Sequence, residues 1–229
     1  MTASPTSADP RLQRVDRDQN VAASQSNNRH RVTIAISRES EAGGSELAHE
    51  LARRLNWPMY DRELIEKLST DAKARQQLLK ELGESLPNWV EKCLNSFTPE
   101  APRSDVEDAV RLRELLFALY CHGNCIILGR GAAQVLPAEQ TLRVRLIAPK
   151  FHRIRQAARR LQILEEAARD VEAIDQERLD FVGNYFHKNP ADVHSYDLIV
   201  DSSRFTKSHC ADIVLVALKA RQEIAQSAK

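Results

Sequence analysis

The feature that most constrains the fold is a strand, a glycine turn and a helix that follow one another along the chain. VTIAIS (32–37) is rich in β-branched residues, which predicts a short strand. The turn after it contains Gly43 and Gly44, and GSELAHELARRL (44–55) then repeats alanine and leucine at helical spacing. An α/β sheet begins in this way, with the turn at the carboxyl end of a strand, where such sheets bind ligands.

The glycine turn partly matches the phosphate-binding pattern G-x-x-x-x-G-K-[ST]. Arg38 falls on the first glycine, Gly43 on the second, Gly44 on the lysine and Ser45 on the Ser/Thr. Backbone N–H groups at a helix N-terminus attract anions, which predicts that Gly43 and Gly44 bind phosphate and that the Ser45 hydroxyl serves Mg²⁺. Because Gly44 cannot supply the charge of the lysine, Arg38 is the candidate catalytic cation. The alternative is an ion pair between Arg38 and Glu39.

Further strands alternate with helices along the rest of the chain. Strands separated by helices pair in parallel through right-handed crossovers, with helices on both faces of the sheet. The sequence therefore predicts a doubly wound α/β fold with a parallel sheet of about five strands. Besides 32–37, the predicted strands are the short piece at Met59 and Tyr60, CIILGRGAA (125–133), TLRVRLIAP (141–149) and YDLIVDSS (196–203); the predicted helices cover 71–122 as an insertion of three, 151–188 and 207–226.

Composition limits the classes of protein that remain. The chain has 229 residues, of which 42% are hydrophobic and 28% charged, as in an ordinary globular domain. A formal net charge of +1 indicates no preference for nucleic acid or membrane surfaces. The four cysteines have no zinc-site spacing and indicate reduced thiols in a cytoplasmic protein. Residues 1–31 are polar and lack aromatics, which predicts a disordered tail followed by one domain at 32–229.

Charged residues follow several of the predicted strands. Arg130 lies between two glycines directly after a strand, which favours its presentation to a binding cleft, where its planar fork would suit a phosphate. The alternative for Arg130 is a structural ion pair. Asp61 begins a helix, so it is either an N-cap or a residue near a nucleotide that accepts a phosphoryl group. Arg153 and Arg159 lie on an arginine-rich helix that would act as a lid over a transferring phosphate, or else present a solvated face.

Five segments, in order, resemble the cytidylate kinase-like family. The opening loop ISRESEAGG is similar to that family's ISREYGSGG, and ILGRGAA is similar to its third element. The resemblance extends over roughly residues 32–225 and implies a P-loop, nucleoside monophosphate kinase-like fold. The other similar segments are LNWPMYDRELI, RVRLIAPKFHRIRQAARR and IDQERLDFVGNYFHKNPADVHSYDLIVDSSRF.

The resemblance implies ATP-dependent phosphoryl transfer to a nucleoside monophosphate such as CMP or dCMP, with Mg²⁺. It also implies that Asp175 and Arg178 help to hold the acceptor nucleotide, for which Asp61 and Arg130 are the further candidates given above. An intrahelical ion pair between Asp175 and Arg178 is the alternative. The chain departs from bacterial cytidylate kinases at Gly44 and at Gly131, where they carry a lysine and an acidic residue. Two alternatives follow: a non-catalytic nucleotide-binding or regulatory module, and a kinase for a different acceptor.

Overall fold

A computed structural model of the protein describes residues 31–71, 73 and 105–227. The predicted tail lies outside the described residues apart from Arg31, and so does most of the predicted helical insertion. Within the described part of the chain, no helix is long and apolar enough to cross a membrane.

Among the described residues, five strands form a single parallel sheet. They are β1 (Thr33–Arg38), β2 (Met59–Tyr60), β3 (Cys125–Leu128), β4 (Thr141–Ile147) and β5 (Leu198–Asp201). Their order across the sheet is β2-β3-β1-β4-β5, so β1 is central and every connection is a crossover. The predicted doubly wound parallel sheet is confirmed, including the short strand at Met59.

The described helices confirm most of the predicted ones and differ in two places. A single helical region was predicted over 151–188, but Gln162 adopts a left-handed conformation with φ 63° and divides it into two helices. A short helix after β3 was not predicted. The helices are α1 (Gly44–Leu55), α2 (Arg62–Thr70), α3 (Asp105–His122), α4 (Ala132–Val135), α5 (Lys150–Leu161), α6 (Leu164–Phe186) and α7 (Lys207–Ser227), with short 3-10 turns at Ala138–Gln140 and Val193–Ser195.

The apolar core lies on both faces of the sheet. On one face, α1 and α7 cover β1, β3 and β4, with Leu47 and Val214 completely buried. On the other face, α3 and α6 cover β1 and β3, with Leu115 completely buried. Each fully buried aliphatic side chain stabilises the fold by about 1.5–3 kcal/mol relative to an exposed one.

Strand β4 is the exception to this double covering. Strands of a parallel sheet are usually apolar on both faces because helices cover both. Leu142, Val144 and Leu146 are buried as expected, but Arg143 and Arg145 alternate with them and are only partly buried. The face of β4 that carries Arg145 therefore borders a cleft instead of a packed helix.

Candidate functional site

The turn between β1 and α1 has the backbone geometry of an anion-binding loop. We call residues 38–45 the phosphate loop. Glu41 and Gly43 both adopt positive φ, at 57° and 79°, and no described side chain caps the N-terminus of α1. The first N–H groups of α1 thus remain available to a bound anion. Gly43, Gly44 and the exposed Ser45 line one cavity of about 880 Å³, which we call the loop groove.

Two glycines make room for the side chain of Arg38. A Cβ atom at Gly44 would lie 2.7 Å from Arg38 Cγ, and a Cβ atom at Gly129 would lie 2.1 Å from Arg38 Nη1. The aliphatic stem of Arg38 therefore crosses Gly44, and its guanidinium lies against Gly129. The side chain extends towards the end of β3 and lines both the loop groove and a second cavity.

The Arg38 guanidinium has no ion pair among the described residues. The alternative of a pair with Glu39 is wrong, because the Glu39 carboxylate accepts a hydrogen bond from Ala148 N at 3.0 Å and lies 3.3 Å from Arg153 Nε. Burial, followed by repulsion from Arg178 and Arg130, lowers the pKa of Arg38 to about 9. The positive charge of Arg38 therefore lowers the stability of the free protein.

The second cavity has a volume of about 480 Å³ and lies beside the ends of β1, β3 and β4. We call it the arginine cleft. Its volume falls in the range of small-ligand sites, which is roughly 300–1,000 Å³. One wall is apolar and includes Leu179, Phe181 and Val182 of α6. The basic side chains of the cleft are Arg38, Arg62, Arg130, Arg145 and Arg178.

Arg130 faces the arginine cleft and also takes part in an ion pair. It pairs with Glu66, and its guanidinium lies 4.6 Å from the centre of the Phe181 ring. Its Nε is buried without a hydrogen-bond partner. Burial, followed by repulsion from Arg62, lowers the pKa of Arg130 to about 10. Arg130 thus faces the cleft, as one sequence interpretation predicted, and also forms a structural ion pair, as the alternative predicted.

Asp61 is the N-cap of α2, as one sequence interpretation predicted. Its side chain accepts a hydrogen bond from Leu64 N at 2.9 Å. Its charge also raises the pKa of Arg38, although burial and the neighbouring arginines outweigh this effect. Asp61 therefore contributes to the electrostatics of the arginine cleft from the start of α2.

Arg153 lies in a different place from the predicted lid arginine. Only 7% of the residue is exposed, and it lines neither the loop groove nor the arginine cleft. Its Nη1 donates to Ser40 O at 3.3 Å and to Asp175 Oδ2 at 2.5 Å, and its Nε donates to Ala148 O at 3.0 Å. Because these protein groups already bind its guanidinium, Arg153 supports the loop and is not positioned to close over a phosphate.

Asp175 and Arg178 contact the phosphate loop from α6. Asp175 Oδ1 accepts from Ser40 N at 2.6 Å, so both carboxylate oxygens have partners, since Oδ2 accepts from Arg153. Arg178 Nη1 donates to Arg38 O at 3.2 Å, and the guanidinium borders both cavities. The intrahelical ion pair proposed as an alternative is not formed. We call Glu39, Ser40, Arg153 and Asp175 the loop network.

The remaining cations near the phosphate loop lie in the loop groove. Arg159 is exposed there and donates to Gln156 Oε1 at 3.0 Å. Arg160 pairs with Asp170 and Glu41, and Lys207 donates to Glu46 Oε1 at 3.1 Å. Of these residues, Arg159 has no carboxylate partner among the described residues. Its guanidinium is therefore available to a phosphate, which the predicted lid role would need.

Comparison with known proteins identifies the family. The model of the cytidylate kinase-like family matches residues 33–204, which is most of the chain. The chain belongs to the cytidylate kinase-like family. The loop groove and the arginine cleft both lie within the matched residues for the most part, so the family pattern covers the site as well as the sheet.

Solved structures confirm a P-loop kinase fold for this family member. An uncharacterized protein from Eubacterium ventriosum has a TM-score of 0.62 at 20% identity, covering 83% of this chain and 99% of that one. A gluconokinase from Sinorhizobium meliloti has a TM-score of 0.50 at 12% identity, covering 86% and 97%. No curated protein matches significantly.

The structure gives a steric reason for both departures from bacterial cytidylate kinases. The stem of Arg38 fills the space that a lysine side chain at Gly44 would enter. At Gly131, a Cβ atom would lie 2.3 Å from a ring carbon of Phe186, which leaves no room for an acidic side chain. In this cytidylate kinase-like protein, Arg38 thus occupies the place of the lysine side chain, and Phe186 occupies the place of the acidic side chain.

Among the residues that sequence reasoning missed are Arg62, Arg145 and Lys207. Arg62 follows the last residue of β2 by two positions, so its place near a strand end is a signal that could have identified it. Arg145 interrupts an apolar strand, and this is a comparable signal. Lys207 begins a helix far along the chain from the loop, and its sequence context carries no such signal.

Groups able to hold Mg²⁺ are few in this site. Within the described residues, no cluster of three histidine, cysteine or acidic side chains could bind a metal ion. Mg²⁺ in phosphoryl-transfer sites binds mainly to phosphates and waters, with one or two protein ligands. The exposed Ser45 hydroxyl, in the first turn of α1, fits such a site.

Proposed function

We propose that the protein transfers the γ-phosphoryl group of ATP to a nucleoside monophosphate, with CMP and dCMP as the first candidates. The observation that carries this proposal is the position of Arg38. Its guanidinium has no ion pair among the residues that the structure describes, and it borders the loop groove and the arginine cleft together. A phosphoryl group that passes from one bound nucleotide to the other would cross this boundary.

The loop groove suits the donor nucleotide. Its phosphates would bind the N–H groups of Gly44 and Ser45 at the N-terminus of α1. Arg159 and Lys207 line the same groove and would add positive charge near the phosphates. Mg²⁺, held by the phosphates and the Ser45 hydroxyl, would neutralise charge on the transferring group.

The arginine cleft suits a dianionic acceptor. In the free protein, burial and then repulsion from Arg178 and Arg130 lower the pKa of Arg38. A monophosphate brought among them would replace repulsion with charge-assisted hydrogen bonds. Arg62 is paired with Glu177 at 2.6 Å and Arg130 with Glu66, so Arg38 and Arg178, which have no ion pair among the described residues, contribute most of the uncompensated charge.

In the proposed reaction an oxygen of the acceptor phosphate forms a bond to the γ-phosphorus, and the bond from that phosphorus to the bridging oxygen of ADP breaks. The acceptor is already ionised at neutral pH, so no general base is required. Charge stabilisation is then the main demand on the protein. Arg38 would supply it where the missing lysine cannot.

Transfer of radiolabelled phosphate from ATP to each nucleoside monophosphate tests the proposal. We expect transfer by the full chain and a loss of roughly 10³-fold in turnover in Arg38→Met, the scale of an arginine that stabilises transition-state charge. Arg53→Met is the matched control, because Arg53 pairs with Glu50 on the surface of α1 and is 70% exposed. Its turnover should equal that of the wild type.

Two results would reject the proposal in different ways. If the protein binds ATP and a nucleoside monophosphate without transfer, it is the non-catalytic binding module that the missing lysine suggests. If phosphate is transferred only to an acceptor that is not a nucleotide, the fold is used for another kinase reaction. Binding without transfer would be seen as a rise in melting temperature with each ligand.

A further inference from the structure

The arginine cleft also contains a polar cluster to which the phosphate-binding roles proposed above assign no function. Its members are Ser37, Gln134, Arg145 and Tyr196, all partly or wholly buried. Ser37 and Arg145 are partners in the pairing of β1 with β4, so their side chains leave neighbouring strands on one face of the sheet. Ser37, Gln134 and Arg145 also line the cleft.

Tyr196 organises this cluster. Its hydroxyl lies 2.7 Å from Pro190 O and 3.0 Å from Ser37 Oγ. A carbonyl can only accept whereas a serine hydroxyl can also donate, so the phenolic proton is donated to Pro190 O. The same hydroxyl oxygen then accepts from Gln134 Nε2 at 2.6 Å and from Arg145 Nη1 at 3.3 Å. Tyr196 is therefore saturated, and it fixes the orientation of the two side chains that face the cleft.

Arg145 and Gln134 keep unused hydrogen-bonding groups. Arg145 Nη1 donates to Ser37 Oγ at 3.0 Å as well as to Tyr196, while its Nε and Nη2 have no partner among the described residues. The carbonyl oxygen of Gln134 likewise has none there. The guanidinium also has no carboxylate partner in the described part of the chain. This end of the cleft thus offers positively charged donors beside a neutral acceptor.

We propose that Arg145 and Gln134 determine the acceptor specificity of the protein by binding the base of a nucleoside monophosphate. This inference rests on the proposed acceptor site in the arginine cleft. A base presents carbonyl or ring-nitrogen acceptors to Arg145 and an N–H group to Gln134, which matches their unused groups. The apolar wall at Phe181 and Val182 suits a flat ring better than a polyol, whose hydroxyls would lose hydrogen bonds there.

The alternation in β4 supports the same role. An arginine on a central strand next to an apolar core is a departure from the pattern of parallel sheets. Departures of this kind occur at functional sites, where the cost to folding is offset by binding. Arg143, two residues earlier on the same face, has a structural explanation, because it pairs with Asp197 at 3.2 Å. Arg145 has no such pair within the described part of the chain.

The test is equilibrium binding by calorimetry of CMP, UMP, AMP, GMP and ribose 5-phosphate to the full chain. Ribose 5-phosphate carries the phosphate and sugar without a base. We expect the wild type to bind one nucleotide more tightly than ribose 5-phosphate, and Arg145→Met to weaken that nucleotide roughly 10- to 100-fold, the effect of losing hydrogen bonds to a charged group. Affinity for ribose 5-phosphate should change less than about twofold. Arg143→Met is the control and should match the wild type.

Equal losses for nucleotide and ribose 5-phosphate in Arg145→Met would overturn the proposal, since a purely structural arginine would affect both. A wild type that binds no nucleotide better than ribose 5-phosphate would also overturn it. If Arg145→Met does not fold, Gln134→Leu provides the same comparison, with a smaller loss confined to the nucleotide. Selective binding without phosphoryl transfer would reject the proposed kinase reaction and leave this inference standing.

Discussion

Two arginines belong to the phosphate loop region, and the protein treats their charges in opposite ways. Arg153 is buried in the loop network, where Asp175 and Glu39 lie within 2.5 and 3.3 Å and two backbone carbonyls accept the remaining hydrogen bonds. Arg38 is held among other guanidiniums, and no described carboxylate pairs with it. The first charge is neutralised by the protein, whereas the second is left for a ligand to neutralise.

The two arginines next to the phosphate loop thus have different roles: Arg153 supports the loop, and the charge of Arg38 is available to a ligand. A buried charge without its partner destabilises a fold, so Arg153 and Asp175 depend on each other. A cation that repels its neighbours lowers the stability of the free protein but binds an anion more strongly. The residue type is the same in the two cases, although Arg38 ends a strand and Arg153 lies on a helix. The partner of each guanidinium distinguishes the two roles.

The largest expected effect comes from breaking the loop network. Asp175→Ala removes the acceptor of Ser40 N and leaves Arg153 with Glu39 as its one carboxylate neighbour among the described residues. We expect the free energy of unfolding to fall by about 3 kcal/mol, the lower end for a broken buried ion pair. Urea denaturation of the free protein measures this loss.

Glu172→Ala is the matched control for that variant. Glu172 pairs with Lys150 between the same two helices, but both side chains are more than half exposed, at 59% and 57%. An exposed pair of this kind contributes little, so the denaturation midpoint should not change. If instead Asp175→Ala kept wild-type stability and lost acceptor binding, Asp175 would be a substrate ligand, as the resemblance implied.

A smaller effect is expected when a methyl group is added at Gly44. Its carbon would lie 2.7, 2.9 and 3.1 Å from Cγ, Cβ and Cδ of Arg38, so the side chain that fills the place of the lysine must move. Overpacking of this kind costs about 1–3 kcal/mol. Gly44→Ala should therefore lower the melting temperature, and adding Arg38→Ala should recover part of the loss.

Gly183→Ala gives the comparison for that substitution. Gly183 lies within α6 with no atom within 4 Å of an added Cβ, so the change should stabilise the protein by about 0.5–1 kcal/mol. Equal effects of the two glycine substitutions, or no recovery in the double variant, would mean that Arg38 does not occupy the space above Gly44.

The smallest effect has the opposite sign. Arg38→Met keeps an unbranched stem over Gly44 and removes the charge that burial and the neighbouring arginines disfavour. We expect the free protein to melt roughly 2–4 °C higher, as a gain of about 1 kcal/mol would produce in a chain of this size. Differential scanning calorimetry without ligand measures the shift. A lower melting temperature would show that the charge of Arg38 does not destabilise the free protein.

Much of the fold was predictable because it depends on local patterns. The alanine–leucine repeat predicted α1 at the residues where it lies, and the β-branched and apolar runs located four of the five strands. The fifth was predicted as a brief extended piece at Met59 and Tyr60. Placement of ligand-binding residues at the strand ends followed from the parallel sheet. The break at Gln162 was missed because a left-handed residue other than glycine has no strong sequence signal.

Residue patterns along the chain establish that a glycine turn leads into a helix, that the lysine of the phosphate-binding pattern is absent and that arginines are available nearby. The tertiary structure decided which arginines are neutralised. Arg153 meets Ser40 across 113 residues of sequence, and Arg145 meets Tyr196 across 51. Spacing along the chain does not determine contacts of this length, because the packing of α5 and α6 and the register of β4 set them. The charge left free on Arg38 and Arg145 is therefore a property of the folded protein.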